Sequence, residues 1–158
     1  MNDDVGRGEG GDGPEYGPSP DHPGWYFWRL KAAARFNNFF GPVLLRTDPD
    51  GMARVRLVPH DALSNSHGNV HGGALLGFVD IAMFAAAHQL GVRGMAGGLT
   101  IDVQSHFLNA GRIDEPLDAR VELLRETGNF CFLRGLLEQD HGSVMSFSGL
   151  LKKARDAG

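Results

Sequence analysis

From Gly72 to Gln89 the chain reads GGALLGFVDIAMFAAAHQ, apolar nearly all round, with Asp80 as its one charged residue. A helix with that pattern must be buried on most sides. At ~1.5 Å per residue it spans ~27 Å, enough to serve as the central element of a domain. Upstream, VLLRTDPDGMARVRLVP sets Asp48-Pro49-Asp50-Gly51 between two β-compatible runs, which predicts a hairpin, and residues 60–70 form a polar loop. Before that, GWYFWRLKAAARFNNFFG carries Trp25, Trp28, Leu30, Ala33, Phe36, Phe39 and Phe40 at helical spacing. This predicts a helix packed on the body and stopped by Gly41-Pro42. Downstream of four glycines, LTIDVQSHFL alternates, with Leu99, Ile101, Val103, Ser105 and Phe107 on one face and Thr100, Asp102, Gln104 and His106 on the other. LDARVELLRE follows with Leu117, Ala119, Val121 and Leu123 inward. Thr127-Gly128-Asn129 turns it into FCFLRGLLEQD, and His141-Gly142 turns that into SVMSFSGLLKKA. Consecutive strands with short turns make an antiparallel meander. The sum is an α+β architecture, one antiparallel sheet curled around the helix at about 72–89.

The first 23 residues, MNDDVGRGEGGDGPEYGPSPDHP, are dense in Gly, Pro and acid and predict a disordered, dispensable tail ahead of one domain over 24–155. Its glycines form no phosphate loop, since no Lys-Ser/Thr follows. At 158 residues and 42% apolar content the chain can build one real core. A net charge of -4 argues against nucleic acid as the main partner, although Lys152-Lys153 suits one small anionic ligand. Cys131 is the only cysteine, so no intramolecular disulfide is possible, which fits a cytoplasmic protein. No apolar run reaches the ~20 residues of a membrane span, and no apolar leader core stands at the N-terminus, so no membrane partner is expected.

The candidate chemistry gathers around the helix. A carboxylate among Leu76, Phe78, Val79, Ile81 and Phe84 is costly to bury without partners, and such groups concentrate at functional sites. Gly72 and Gly73 stand where the helix begins and its first N–H groups lack intrahelical acceptors. With no Cβ in the way, a substrate carbonyl can approach them as in an oxyanion hole. The alternative is that the glycines simply allow tight packing. Asn65 can donate to the same oxygen, or merely shape its loop beside Ser64 and Ser66. His71 can orient Asn65 or bond the departing sulfur, or be an ordinary helix-entry residue. Asp80 can attack a thioester carbonyl or activate water, and both roles stay open. Thr100 can hold Asp80 or position the water. His67 and His71 straddle a Gly-Asn loop without further ligands, so neither metal nor cofactor is expected.

This arrangement resembles the hotdog fold, specifically the PaaI-like branch of acyl-CoA thioesterases. Asn65, then His71-Gly72-Gly73 six residues on, then Asp80, then Thr100 in the next strand carry the resemblance, which covers roughly residues 25–153. It implies hydrolysis of an acyl-CoA thioester to a free acid and coenzyme A. Gly72 and Asn65 would polarise the carbonyl, Asp80 would act as nucleophile or general base, and Thr100 would assist. Gly73, Met83 and Phe84 are assigned to the substrate, and the apolar surface near Phe78, Met83, Phe84 and Phe107 favours an aryl or medium-length acyl group. A non-catalytic acyl-CoA binding module and a hydratase or dehydratase on the same fold are the alternatives. Geometry adds a partner. Gly72 and Asp80 lie ~12 Å apart along one helix axis, too far to serve one carbonyl, which must sit ~3 Å from both donor and nucleophile. Two such helices antiparallel about a two-fold axis solve this. A homodimer or a homotetramer built as a dimer of dimers is expected, as the resemblance also implies.

Overall fold

The structure, a computed structural model, describes residues 13–154. Its strands are β1 (Pro14–Pro18), β2 (Tyr26–Leu30), β3 (Val43–Thr47), β4 (Ala53–Leu57), β5 (Leu99–Phe107), β6 (Leu117–Glu126), β7 (Phe130–Gln139) and β8 (Gly142–Lys152). Its helices are the short α1 (Phe36–Phe39) and the long α2 (Gly72–Gln89). All eight strands form one antiparallel sheet in the order β1-β2-β3-β4-β6-β7-β8-β5, and α2 packs on its inner side against β3 through β8. This is the expected hotdog fold. Leu75, Phe78, Val79, Ile81, Ala82, Met83 and the run Ala85–Ala87 are all buried, as an all-round apolar helix requires. No helix among the described residues is long and apolar enough to cross a membrane.

The hairpin over β3 and β4 forms as its turn residues predict: the Gly51 N–H donates to Asp48 O at 2.9 Å, and Gly51 takes φ 83°. The β6-β7-β8 meander also forms, with Leu117, Ala119 and Val121 fully buried.

Three features depart from the sequence reading. The segment Tyr26–Leu30 is a strand, not a helix, and only Phe36–Phe39 is helical. Aromatic residues favour a pleated, half-buried surface. Pairing of Trp28 with Val43 and of Tyr26 with Leu45 supplies one. Within the stretch read as a disordered tail, Pro14–Pro18 pairs with β2, Tyr16 opposite Trp28. Tyr16 stacks on Tyr26 at 5.0 Å and its hydroxyl donates to Gln89 Oε1 at 3.0 Å, so one aromatic residue anchors a Gly/Pro-rich strand to the end of α2. Residues 1–12 of that tail lie outside the described residues. Lastly, a β-bulge between Thr100 and Asp102 breaks the expected alternation of β5. Thr100 pairs with the buried Leu151, Val103 with Gly149 and Ser105 with Phe147, so Thr100 shares the inward face while Leu99 and Ile101 stand exposed.

Candidate active site

The loop before α2 is fixed by backbone hydrogen bonds at both ends. The His71 N–H donates to Leu63 O at 2.7 Å, Val70 N–H to Gly111 O at 2.7 Å, and Asn65 N–H to Asn69 O at 2.7 Å. His71 is the N-cap of α2, and the Gly73 N–H donates to its Nδ1 at 2.9 Å. An accepting Nδ1 places the ring proton on Nε2. Gly73 is therefore engaged by the cap, and a Cβ there would stand 3.1 Å from His71 Nδ1. The Gly72 N–H has no acceptor among the described residues. It stands at the positive end of the helix, beside the exposed ring of Phe107, whose Cε1 lies 3.4 Å from where a Gly72 Cβ would be.

Asn65 fills one of the two roles considered for it, that of shaping its loop. Its Oδ1 accepts from the N–H groups of His67 at 2.9 Å and Asn69 at 3.1 Å, which shapes the loop. That commitment leaves its Nδ2 as a donor with no acceptor among the described residues.

Asp80 sits mid-helix, half-buried, and the Thr100 hydroxyl donates to its Oδ1 at 2.5 Å. The bulge in β5 turns Thr100 toward it. Asp80 also lines a cavity of about 670 Å³, within the ~300–1,000 Å³ typical of small-molecule sites. Phe84 and His88 continue its wall along α2, Trp28 and Leu30 face them from β2, and Arg93 closes it beyond the helix end. Trp28 is 6% exposed and its indole Nε1 has no acceptor among the described residues.

Thus the structure brings Asp80, Thr100 and Phe84 together, and separately His71, Gly72, Gly73 and Asn65. Met83 belongs to neither group. It is fully buried and its sulfur packs where a Cβ on Gly149 would fall, so it faces β8 rather than the cavity. Phe78 is likewise wholly in the core. Trp28, His88 and Arg93 went unread in the sequence. Only the i, i+4, i+8 spacing of Asp80, Phe84 and His88 places them on one helical face. Cys131 is fully buried, and burial, with Glu126 nearby, pushes its thiol up to about 11, so it is a core residue and no nucleophile.

A carboxylate at an apolar cavity, with unpaired donors at a helix start, suits acyl chemistry. The thioesterase superfamily profile matches residues 67–146, from the polar loop through α2 and into β8, half of the chain. The chain belongs to the thioesterase superfamily.

Membership gives the coarse activity, thioester hydrolysis, and solved thioesterases share the fold. Thioesterase superfamily member 2 of zebrafish superposes with a TM-score of 0.66 at 16% identity, over 77% of this chain and 88% of that one. The hypothetical thioesterase protein of Streptococcus pneumoniae TIGR4, solved with coenzyme A, gives a TM-score of 0.60 at 22% identity over 70% and 84%. The PaaI protein of Escherichia coli, from the phenylacetic acid degradation operon, gives a TM-score of 0.56 at 19% identity over 65% and 72%. The PaaI-like resemblance thus has PaaI itself among the structural neighbours of this thioesterase. No curated protein matches the chain by sequence. Strands β1 to β4 lie outside the matched residues.

Proposed function

We propose that this thioesterase hydrolyses an acyl-CoA thioester, at a site formed by the middle of α2 from one subunit and the start of α2 from another. The observation that carries the reading is the Thr100–Asp80 hydrogen bond in the wall of an apolar cavity. It fixes Asp80 by Oδ1 and leaves Oδ2 without a protein donor among the described residues. In one route Oδ2 attacks the thioester carbonyl, the carbon–sulfur bond breaks, and the thiolate of coenzyme A leaves and is protonated. Water then cleaves the mixed anhydride, which restores Asp80 and frees the acid. In the other, Asp80 takes a proton from water as the water attacks directly, the carbon–sulfur bond of the tetrahedral intermediate then breaks, and the proton passes from Asp80 to the departing thiolate. Either way charge develops on the carbonyl oxygen. The free Gly72 N–H and Asn65 Nδ2 are donors suited to receive it. Coenzyme A accompanies a structural neighbour of this chain, which supports that carrier over other thiols.

A second subunit supplies the missing half. β5 ends the sheet with an unpaired edge, and Leu99, Ile101 and Phe107 on it are 63%, 51% and 55% exposed. An edge so apolar invites pairing with its own copy. Such pairing runs two α2 helices antiparallel and carries Gly72 and Asn65 of one chain toward Asp80 and Thr100 of the other. The deciding experiment incubates the purified protein with a panel of acyl-CoAs and titrates released thiol. Thiol release that vanishes in Asp80→Asn supports the reading, and no release from any thioester overturns it.

A further inference from the structure

Among the described residues, the cavity beside Asp80 carries formal charge in two places only. Asp80 is one, and Arg93 is the other; Trp28, Leu30 and Phe84 supply apolar wall, and Asn37 and His88 are its other polar side chains. The two charges are far apart. Asp80 is mid-helix, His88 is ~12 Å further along the axis, and Arg93 follows in the loop after the helix ends. That loop is pinned. Val92 is buried and its N–H donates to Ala87 O at 2.9 Å, the Gly91 N–H donates to His88 O at 3.0 Å, and Gly94 O accepts from the Ala154 N–H at 2.8 Å. Arg93 is exposed and makes no ion pair or hydrogen bond with any described residue, in a protein where Arg46, Arg54, Arg56, Arg112, Arg120 and Arg134 are all paired. The His88 side chain also lacks a hydrogen-bond partner among the described residues and meets the Tyr16 ring edge-on, at 4.7 Å. The buried Trp28 indole N–H lacks an acceptor as well.

A plain aliphatic acyl group would use the apolar middle and leave these donors idle. We propose that the acyl group carries a carboxylate at its far end. The substrate class is a medium-length dicarboxylic acid held as its mono-thioester, with Arg93 as the residue that reads the free carboxylate. A planar guanidinium suits this task, since it offers paired N–H donors to a carboxylate. The inference rests on the reading of Asp80 as the thioester-cleaving end. It adds selectivity supplied by the loop after α2 and by β2.

The test compares adipyl-CoA with hexanoyl-CoA, equal in chain length and different at the far end, for the wild type and Arg93→Met. Thiol release gives kcat/KM, and calorimetry measures binding of the free acids adipate and hexanoate. The wild type should prefer adipyl-CoA by ~10-fold or more, the scale of a charged hydrogen bond. Arg93→Met should bring the two thioesters close to parity, and adipate should bind the wild type better than the variant. A wild type that prefers hexanoyl-CoA or treats both alike overturns the proposal. So does an Arg93→Met that slows both thioesters equally, which would assign Arg93 to the coenzyme phosphates. If neither thioester is cleaved while adipate binding still depends on Arg93, hydrolysis fails and carboxylate recognition stands. If neither acid binds and neither thioester is cleaved, both readings fall.

Discussion

Asp80 spends one carboxylate oxygen on Thr100 and keeps the other without a donor among the described residues, so its substitutions are expected to separate chemistry from folding. Asp80→Asn is nearly isosteric and should keep the melting temperature while lowering turnover ~100-fold or more, because the nucleophile or base is gone. Thr100→Ala should cost less, since it removes the residue that orients the carboxylate rather than the carboxylate. Equal losses in steady-state kinetics would reverse the two roles. Cys131 offers a silent control. With its thiol buried and pushed up to about 11, it should resist a chromogenic disulfide at pH 8 in the native protein and react once the protein is denatured. Rapid native labelling would show that β7 opens. The Asn-His-Gly-Gly and Asp positions stand out in the sequence because a helix start and a lone charge in an apolar run are local features. Arg93 and Trp28 do not, because they meet only in the lining of a cavity that no sequence neighbour reveals.

The N-terminal hairpin changes what truncation should do. Removing residues 1–18 takes away β1 and with it the stack of Tyr16 on Tyr26 and the bond to Gln89. The melting temperature should fall by several degrees, as a loss of ~1–2 kcal/mol implies for a chain of this size. An unchanged melting temperature would mean that β1 is only laid on. The β3–β4 hairpin makes a pH prediction. Burial pushes the Asp48 carboxyl up, but hydrogen bonds from Arg54 and Arg46 outweigh it and hold the group below its ordinary 3.8. A depressed value means that the stabilisation is complete above 3.8 and is lost as pH falls through the lower folded value. Urea midpoints of the wild type and Asp48→Asn should therefore differ at pH 6 and converge toward pH 3. Element by element, α2, the hairpin and the meander were readable because apolar runs and turn residues act locally. β2 was misread as helix because aromatic spacing fits both periods until β3 pairs with it. The bulge in β5 leaves no mark in the sequence, yet it puts Thr100 on the same face as Val103 and Ser105.

At the scale of the whole molecule, the N–H donors at the start of α2 and the carboxylate at its middle belong to one helix, and in the proposed dimer a second copy brings them to one carbonyl. Inactive Asp80→Asn and inactive Asn65→Ala subunits, mixed after mild dissociation, should regain part of the activity, because a mixed dimer holds one intact site. No recovery despite confirmed subunit exchange, or an active monomer by light scattering, would place the whole site in one chain. The sheet order has a consequence in time. β5 leaves α2 but joins no strand made before it: its neighbour in the sheet is β8, with Thr100 in register with Leu151 across the full length of the meander. On a growing chain α2 and the strands β1 to β4 emerge well before β8 does, and contacts so distant in sequence are slow to close. Asp80 can find its place in the core early, while Thr100 must wait for the last strand of the sheet. Asp80 and Thr100 are thus not held together until β8 has docked, and a chain halted before Gly142 would carry both residues but lack the strand that holds the hydroxyl against the carboxylate.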